Sequence, residues 1–95
     1  MIMTETDLLG IAHEFGAPVY VYDADKIKSQ YHRLTAAFSG VSKLQLNYAA
    51  KALSNISVLR LMNSLGSGLD TVSIQEVQLG LLAGFSASDI IFTPN

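Results

Sequence analysis

Lys51 and Asp70 are the side chains whose type and setting could do chemistry in this chain. Lys51 closes the strand part of Lys43–Leu53, KLQLNYAAKAL, which reads as a β-strand breaking into a turn. Side chains alternate along a strand, so Leu44, Leu46 and Tyr48 would share one face and Gln45, Asn47, Ala49 and Lys51 the other. An amine must be neutral to attack an aldehyde, and lysine's reference pKa is about 10.4. Burial or a neighbouring positive charge lowers that value and opens Schiff-base chemistry near neutral pH. Asn47 beneath the lysine, with small Ala49 and Ala50 beside it, leaves room for a cofactor ring. Asp70 stands at or near the end of the next expected strand, Gly68–Val72, where a barrel would set it beside Lys51 at the C-terminal face. A lysine closing a strand is ordinarily solvated, and so is an aspartate next to a helix. The residues alone leave both readings open.

The other polar residues have structural explanations. Ser73 and Glu76 fit a capping box, worth on the order of 1 kcal/mol. His13 and His32 fall on exposed helix faces without metal-ligand company, so no metal site is expected. Gly66-Ser67-Gly68 lacks the full phosphate-loop pattern and follows a helix, which makes it a helix stop. Tyr20, Tyr22 and Tyr31 read as packing residues.

The elements that must position Lys51 and Asp70 follow a rhythm. A first helix over Thr4–Phe15, capped by Thr4 or Thr6, should stop at a left-handed Gly16. Val19–Asp23, VYVYD, has strong strand propensity. Asp23 or Asp25 can cap a second helix with Ile27, Tyr31, Leu34 and Phe38 in one apolar stripe, ended by Gly40. After the lysine strand, a third helix is expected with Ser54 as its cap, an Ile56, Leu59, Met62 and Leu65 stripe, and Gly66 as its stop. A fourth runs from Ser73 to Gly84, with Val77, Leu81 and Leu82 following its capping box, and Ile90–Thr93 is a further strand. From Lys43 onward, strands alternate with helices through short connections, the mark of βαβ units and a parallel sheet covered on both faces.

Composition narrows the function classes. Of 95 residues, 49% are hydrophobic and 15% charged, which suits a piece of a larger core better than a free-standing small domain. The chain stops on a strand in mid-pattern, so a truncation is expected. A net charge of −2 offers no footprint for nucleic acid. No apolar run approaches the ~18 residues of a membrane span, and the acidic N-terminus lacks the basic start of a signal peptide. With no cysteine there is no disulfide framework or thiolate metal site, and a reducing cytoplasm is the default.

Four motifs in register carry a resemblance. Tyr48-Ala49-Ala50-Lys51-Ala52 resembles the Y-A-x-K-A signature of the alanine-racemase-like, fold-type-III pyridoxal-phosphate enzymes. Val19-Tyr20-Val21-Tyr22-Asp23 is similar to their P-x-Y-V-Y-D strand, and Gly68–Ser73 with Glu76 to G-x-D-x-x-S-x-x-E. Ala83-Gly84-Phe85 and Ile90–Asn95 look like the A-G-F…I-x-F-T-x-N most familiar in diaminopimelate decarboxylases. Two departures stand out. Leu53 replaces the usual asparagine two residues after the lysine, and Ile74-Gln75 replace a pair of glycines before the glutamate.

The resemblance implies the N-terminal part of a (β/α)8 barrel, preceded by a helix and a strand of an appended β domain. Residues 1–24 would pack with that β domain, and residues 25–95 would begin the cofactor barrel. It implies pyridoxal 5'-phosphate as cofactor, held by Lys51 as a Schiff base, with Asp70 near lysine and cofactor as a catalytic and binding group. It further implies an amino-acid substrate, decarboxylation of meso-2,6-diaminopimelate to L-lysine, and a homodimer sharing its active sites. Phosphate, pyridine and substrate-carboxylate contacts are expected beyond Asn95. An ornithine- or arginine-type decarboxylase, an alanine racemase and a non-catalytic cofactor carrier are the alternatives.

Overall fold

The computed structural model describes residues 3–94. Contacts divide the chain at Ala37/Phe38 into two units.

The first unit is two helices, α1 (Glu5–Phe15) and α2 (Ala24–Ala37), with a connection between them. Thr4 rather than Thr6 caps α1. Its hydroxyl accepts from the Asp7 N–H at 3.1 Å, and the Asp7 carboxylate accepts from the Thr4 N–H at 3.0 Å. Gly16 closes α1 at φ 88°, donating to the Ala12 carbonyl. Asp23 caps α2 by accepting from the Asp25 and Lys26 N–H groups. Val19–Asp23, expected as a strand, forms no ladder. A strand exists only through a hydrogen-bonding neighbour, and no described segment supplies one. Tyr20 is therefore left 91% exposed. Gly40 lies in a turn after α2 but outside the left-handed region. None of the described residues 3–37 is buried.

The second unit is a parallel sheet of β1 (Asn47–Ala49), β2 (Gly68–Thr71) and β3 (Ile90–Phe92) in that order, joined through α3 (Ile56–Ser64) and α4 (Ile74–Ala83). The expected strand from Lys43 starts late. Lys43 takes a left-handed turn conformation at φ 59°, which no strand residue can hold, and pairing begins where the Leu46 carbonyl accepts from Gly68. Asn55, not Ser54, caps α3, accepting from the Ser57 and Val58 N–H groups. Gly66 and Gly84, at φ 93° and 108°, stop α3 and α4 as their positions suggest.

Leu69 (0% exposed), Leu59, Met62, Ala50, Ala83 and Phe85 form the core. The inner side of α4 is lined by its small residues. Leu81 and Leu82 are exposed, whereas Gly80 and Ala83 are buried. Gly80 allows this, because a Cβ there would press 2.5 Å from Leu69 Cδ2 and 3.3 Å from Ile90 Cδ1. The helix approaches β2 and β3 through its smallest residue.

Candidate functional site

Pairing register sorts the sheet into two faces. Tyr48, Leu69 and Ile90 share the face beneath α4. Ala49, Asp70 and Ile91 stand side by side on the other, two residues beyond Asn47 and Gly68 on that same face. Asp70 is thus flanked by an alanine and an isoleucine. It is half-buried, and its Oδ1 accepts the Thr93 hydroxyl at 3.2 Å. Thr93 is itself fixed at the end of β3, its N–H donating to the Thr71 carbonyl at 2.9 Å.

Lys51 departs from the expected alternation. Ladder pairing ends at Ala49, and Ala50–Ala52 wind into a 3-10 turn, so the turn and not the pleat sets the lysine's place. The turn packs against β2. Ala50 is buried, whereas Lys51 is exposed two residues beyond Ala49, the register partner of Asp70. Lys51 and Asp70 therefore both lie at the C-terminal edge of a parallel sheet, on neighbouring strand ends, the edge at which barrel sites are built.

The residues at this edge fit a flat cofactor. Ala49, Ala50 and Ala52 flank the lysine in sequence with side chains no longer than a methyl group, and the Asp70 carboxylate on the neighbouring strand accepts the Thr93 hydroxyl. Ser73 and Glu76 act as sequence suggested, with one change. The Glu76 carboxylate accepts from the Val72 N–H at 2.7 Å while the Ser73 hydroxyl accepts from Glu76 at 3.2 Å. They shape the turn that follows β2 and have no further task here. Sequence reasoning passed over Thr93 as a site residue. Its signal was available, since it follows β3 in the alternation that carries Ile91.

Other hollows lie away from this edge. A small one of about 200 Å³ sits at the opposite, N-terminal end of the sheet between Gln45, Asn47, Ser88, Asp89 and Ile91. Asn47 and Gln45 there close over Gly68, where a Cβ would collide with both. A groove of about 580 Å³ in the first unit is bordered by Asp7, Glu14, Asp23 and Asp25, of which Asp7 and Asp23 serve as helix caps. Among the described residues, no three His, Asp or Glu gather as metal ligands, and no helix is long and apolar enough to cross a membrane. Asn95, the end of the fourth motif, lies outside the described residues.

Comparison with known proteins agrees with the fold. The family described as pyridoxal-dependent decarboxylase, pyridoxal binding domain, matches residues 24–95. A diaminopimelate decarboxylase of Methanothermobacter thermautotrophicus is 41% identical over 96 aligned residues, covering 100% of this chain and 22% of that protein. A solved diaminopimelate decarboxylase from M. jannaschii, in complex with L-lysine, superposes with a TM-score of 0.86 at 34% identity over 94% of this chain and 22% of that one. A lysine/ornithine decarboxylase from Vibrio vulnificus, solved with putrescine, superposes with a TM-score of 0.84 at 28% identity over 98% of this chain and 26% of that one. The chain spans about a fifth to a quarter of the length of these relatives.

Proposed function

The chain belongs to the pyridoxal-dependent decarboxylases, through their pyridoxal-binding domain, and on that premise we propose that the full protein converts meso-2,6-diaminopimelate to L-lysine. The observation that carries this reading is identity to a diaminopimelate decarboxylase along the whole chain, with Lys51 and Asp70 on one sheet edge. Pyridoxal 5'-phosphate, when bound, supplies an aldehyde and an electron sink for the carbanion left by departing carbon dioxide. Lys51 would hold the cofactor through its side-chain amine. Asp70 orients that amine while it is free, its carboxylate steadied by Thr93. The surrounding alanines leave space for the ring.

The wider organisation belongs to the same proposal. Residues 25–95 begin the cofactor barrel and residues 1–24 precede it, in keeping with a family match that starts at residue 24. The full protein works as a homodimer with shared active sites, as the motif resemblance implies. A cytoplasmic setting is favoured by a chain without cysteine.

The test is borohydride reduction of the full protein with its cofactor, followed by peptide mapping and assays of carbon dioxide release. Label on Lys51 and turnover of diaminopimelate are expected. Label on Lys43, or none, would overturn the assignment of the lysine. The likeness to the lysine/ornithine decarboxylase favours a second reading, in which ornithine or lysine is the substrate. Turnover of these in place of diaminopimelate would establish it.

A further inference from the structure

Tyr48 precedes Lys51 by three residues and lies in register with Leu69, on the sheet face that Leu69 and Ile90 present to α4. Its register partner, Leu69, is fully buried there, so the ring has a fixed base. From that base the hydroxyl donates to the Leu53 carbonyl at 2.8 Å. Leu53 is extended, at φ −166° and ψ 119°, and follows the 3-10 turn directly. The hydrogen bond therefore bridges the turn from one side to the other. Ladder pairing holds the chain at residue 48, the tyrosine hydroxyl holds it at residue 53, and Lys51 stands on the closed loop between. Buried Ala50 fixes the near side of the loop.

We propose that Tyr48 is a positioning residue for Lys51: its hydroxyl fixes the turn, and with it the height of the lysine amine above the sheet edge. The inference rests on the reading of Lys51 as the cofactor lysine. It also accounts for a departure noted in the sequence. The acceptor at residue 53 is a main-chain carbonyl, so a leucine in place of asparagine leaves the clasp intact. The side chain at that position is then free to vary without moving the lysine.

The variant that tests this is Tyr48→Phe in the full protein, which removes one oxygen and keeps the ring. Two measurements are made, beside a Val58→Ala control at a half-buried position of α3, outside the turn in sequence. The first is amide hydrogen exchange of the cofactor-free protein. Exchange over residues 50–53 should rise in Tyr48→Phe, while Gly68–Thr71 stays protected. The second is the rate at which cofactor-free protein takes up pyridoxal phosphate covalently, read by absorbance. It should fall about fivefold to tenfold, the effect of one ordinary hydrogen bond, with KM for substrate unchanged and the borohydride label still on Lys51. Unchanged exchange and uptake in Tyr48→Phe would overturn the proposal. So would equal slowing in Val58→Ala, or a loss of protection that spreads to Gly68–Thr71, since Tyr48 would then be a general core residue. A wild-type label elsewhere than Lys51 would instead remove the reading on which the inference rests, and the two failures are distinct.

Discussion

The two units of this chain are built from similar helices yet hold themselves together differently. In residues 3–37, order is local. Each helix is closed by a side chain within three residues of the group it satisfies, and no residue is buried. In the second unit, order is long-range. Strand pairing joins Asn47 to Gly68 and Leu69 to Ile90, and Leu69 and Thr71 are fully buried as a result. Local caps can start and stop a helix, but they cannot fix two side chains from distant parts of the sequence against each other. Only the ladder does that, and it is the ladder that brings Asp70 to the edge where Lys51 stands. Chemistry that needs a fixed pair of groups therefore belongs to the second unit.

The sharpest way to break that comparison is to exchange equivalent aspartates for asparagine in the full protein. Asp70→Asn removes charge from the sheet edge while leaving an acceptor for Thr93, and kcat should fall on the order of 10²-fold, as is common for an orienting charged group. Cofactor content should stay near that of the wild type. Asp7→Asn removes the same charge from a helix cap in the first unit and should leave kcat unchanged. Steady-state kinetics on both variants decide the matter. Equal effects would mean that Asp70 is a solvated surface group, as an isolated aspartate would be.

A smaller effect separates the units by sign. Gly10 and Gly80 both lie inside helices, and each can be replaced by alanine. Around Gly10 there is nothing within 4 Å of an added Cβ, so Gly10→Ala should stabilise by about 0.5–1 kcal/mol through lower chain entropy. At Gly80 the added methyl meets the buried Leu69 side chain at 2.5 Å, so that side chain or the helix must give way. Gly80→Ala should destabilise by about 1–3 kcal/mol, the usual range for overpacking. Denaturant midpoints of the two variants should move in opposite directions, and a shift in the same direction would dissolve the contrast in packing.

Residue by residue, the same divide decides what could be read in advance. Stops at Gly66 and Gly84, the Ser73 cap and the alternation of strands and helices were legible, because each is dictated by residues close in sequence. Parallel pairing and the shared edge of Lys51 and Asp70 followed from that alternation. What was not legible depends on partners. Val19–Asp23 has the composition of a strand but no neighbour among the described residues, and Lys43–Leu46 waits for Gly68 before pairing begins. The choice of Asn55 over Ser54 turns on which side chain reaches two N–H groups at once. Burial of α4 through Gly80 and Ala83, with Leu81 and Leu82 exposed, depends on the close approach to β2 and so on a distant partner. The Tyr48 hydroxyl on a main-chain carbonyl leaves no sequence signature at all.

The smallest expected effect concerns acid. The Thr4 N–H, and then the Thr4 side chain, hold the Asp7 carboxyl below the ordinary aspartate range. A carboxyl whose pKa is lowered by folding stabilises the fold above its unfolded value, and that contribution disappears as pH falls through the lowered folded value. The window therefore lies below the ordinary aspartate pKa of about 3.9. Within it, amide protection in α1 should weaken as Asp7 takes up its proton and releases the Thr4 N–H. Ladder hydrogen bonds carry no titrating group, so Leu69 and Thr71 amides should keep their protection over the same interval. Thr4→Val keeps the N–H and removes the hydroxyl, so the Asp7 midpoint, followed by carboxyl NMR, should rise only part of the way to the ordinary value. A midpoint that rises fully would transfer the main role from the backbone donor to the hydroxyl. Simultaneous loss of protection in α1 and β2 would show instead that the two units do not differ in how their order is maintained.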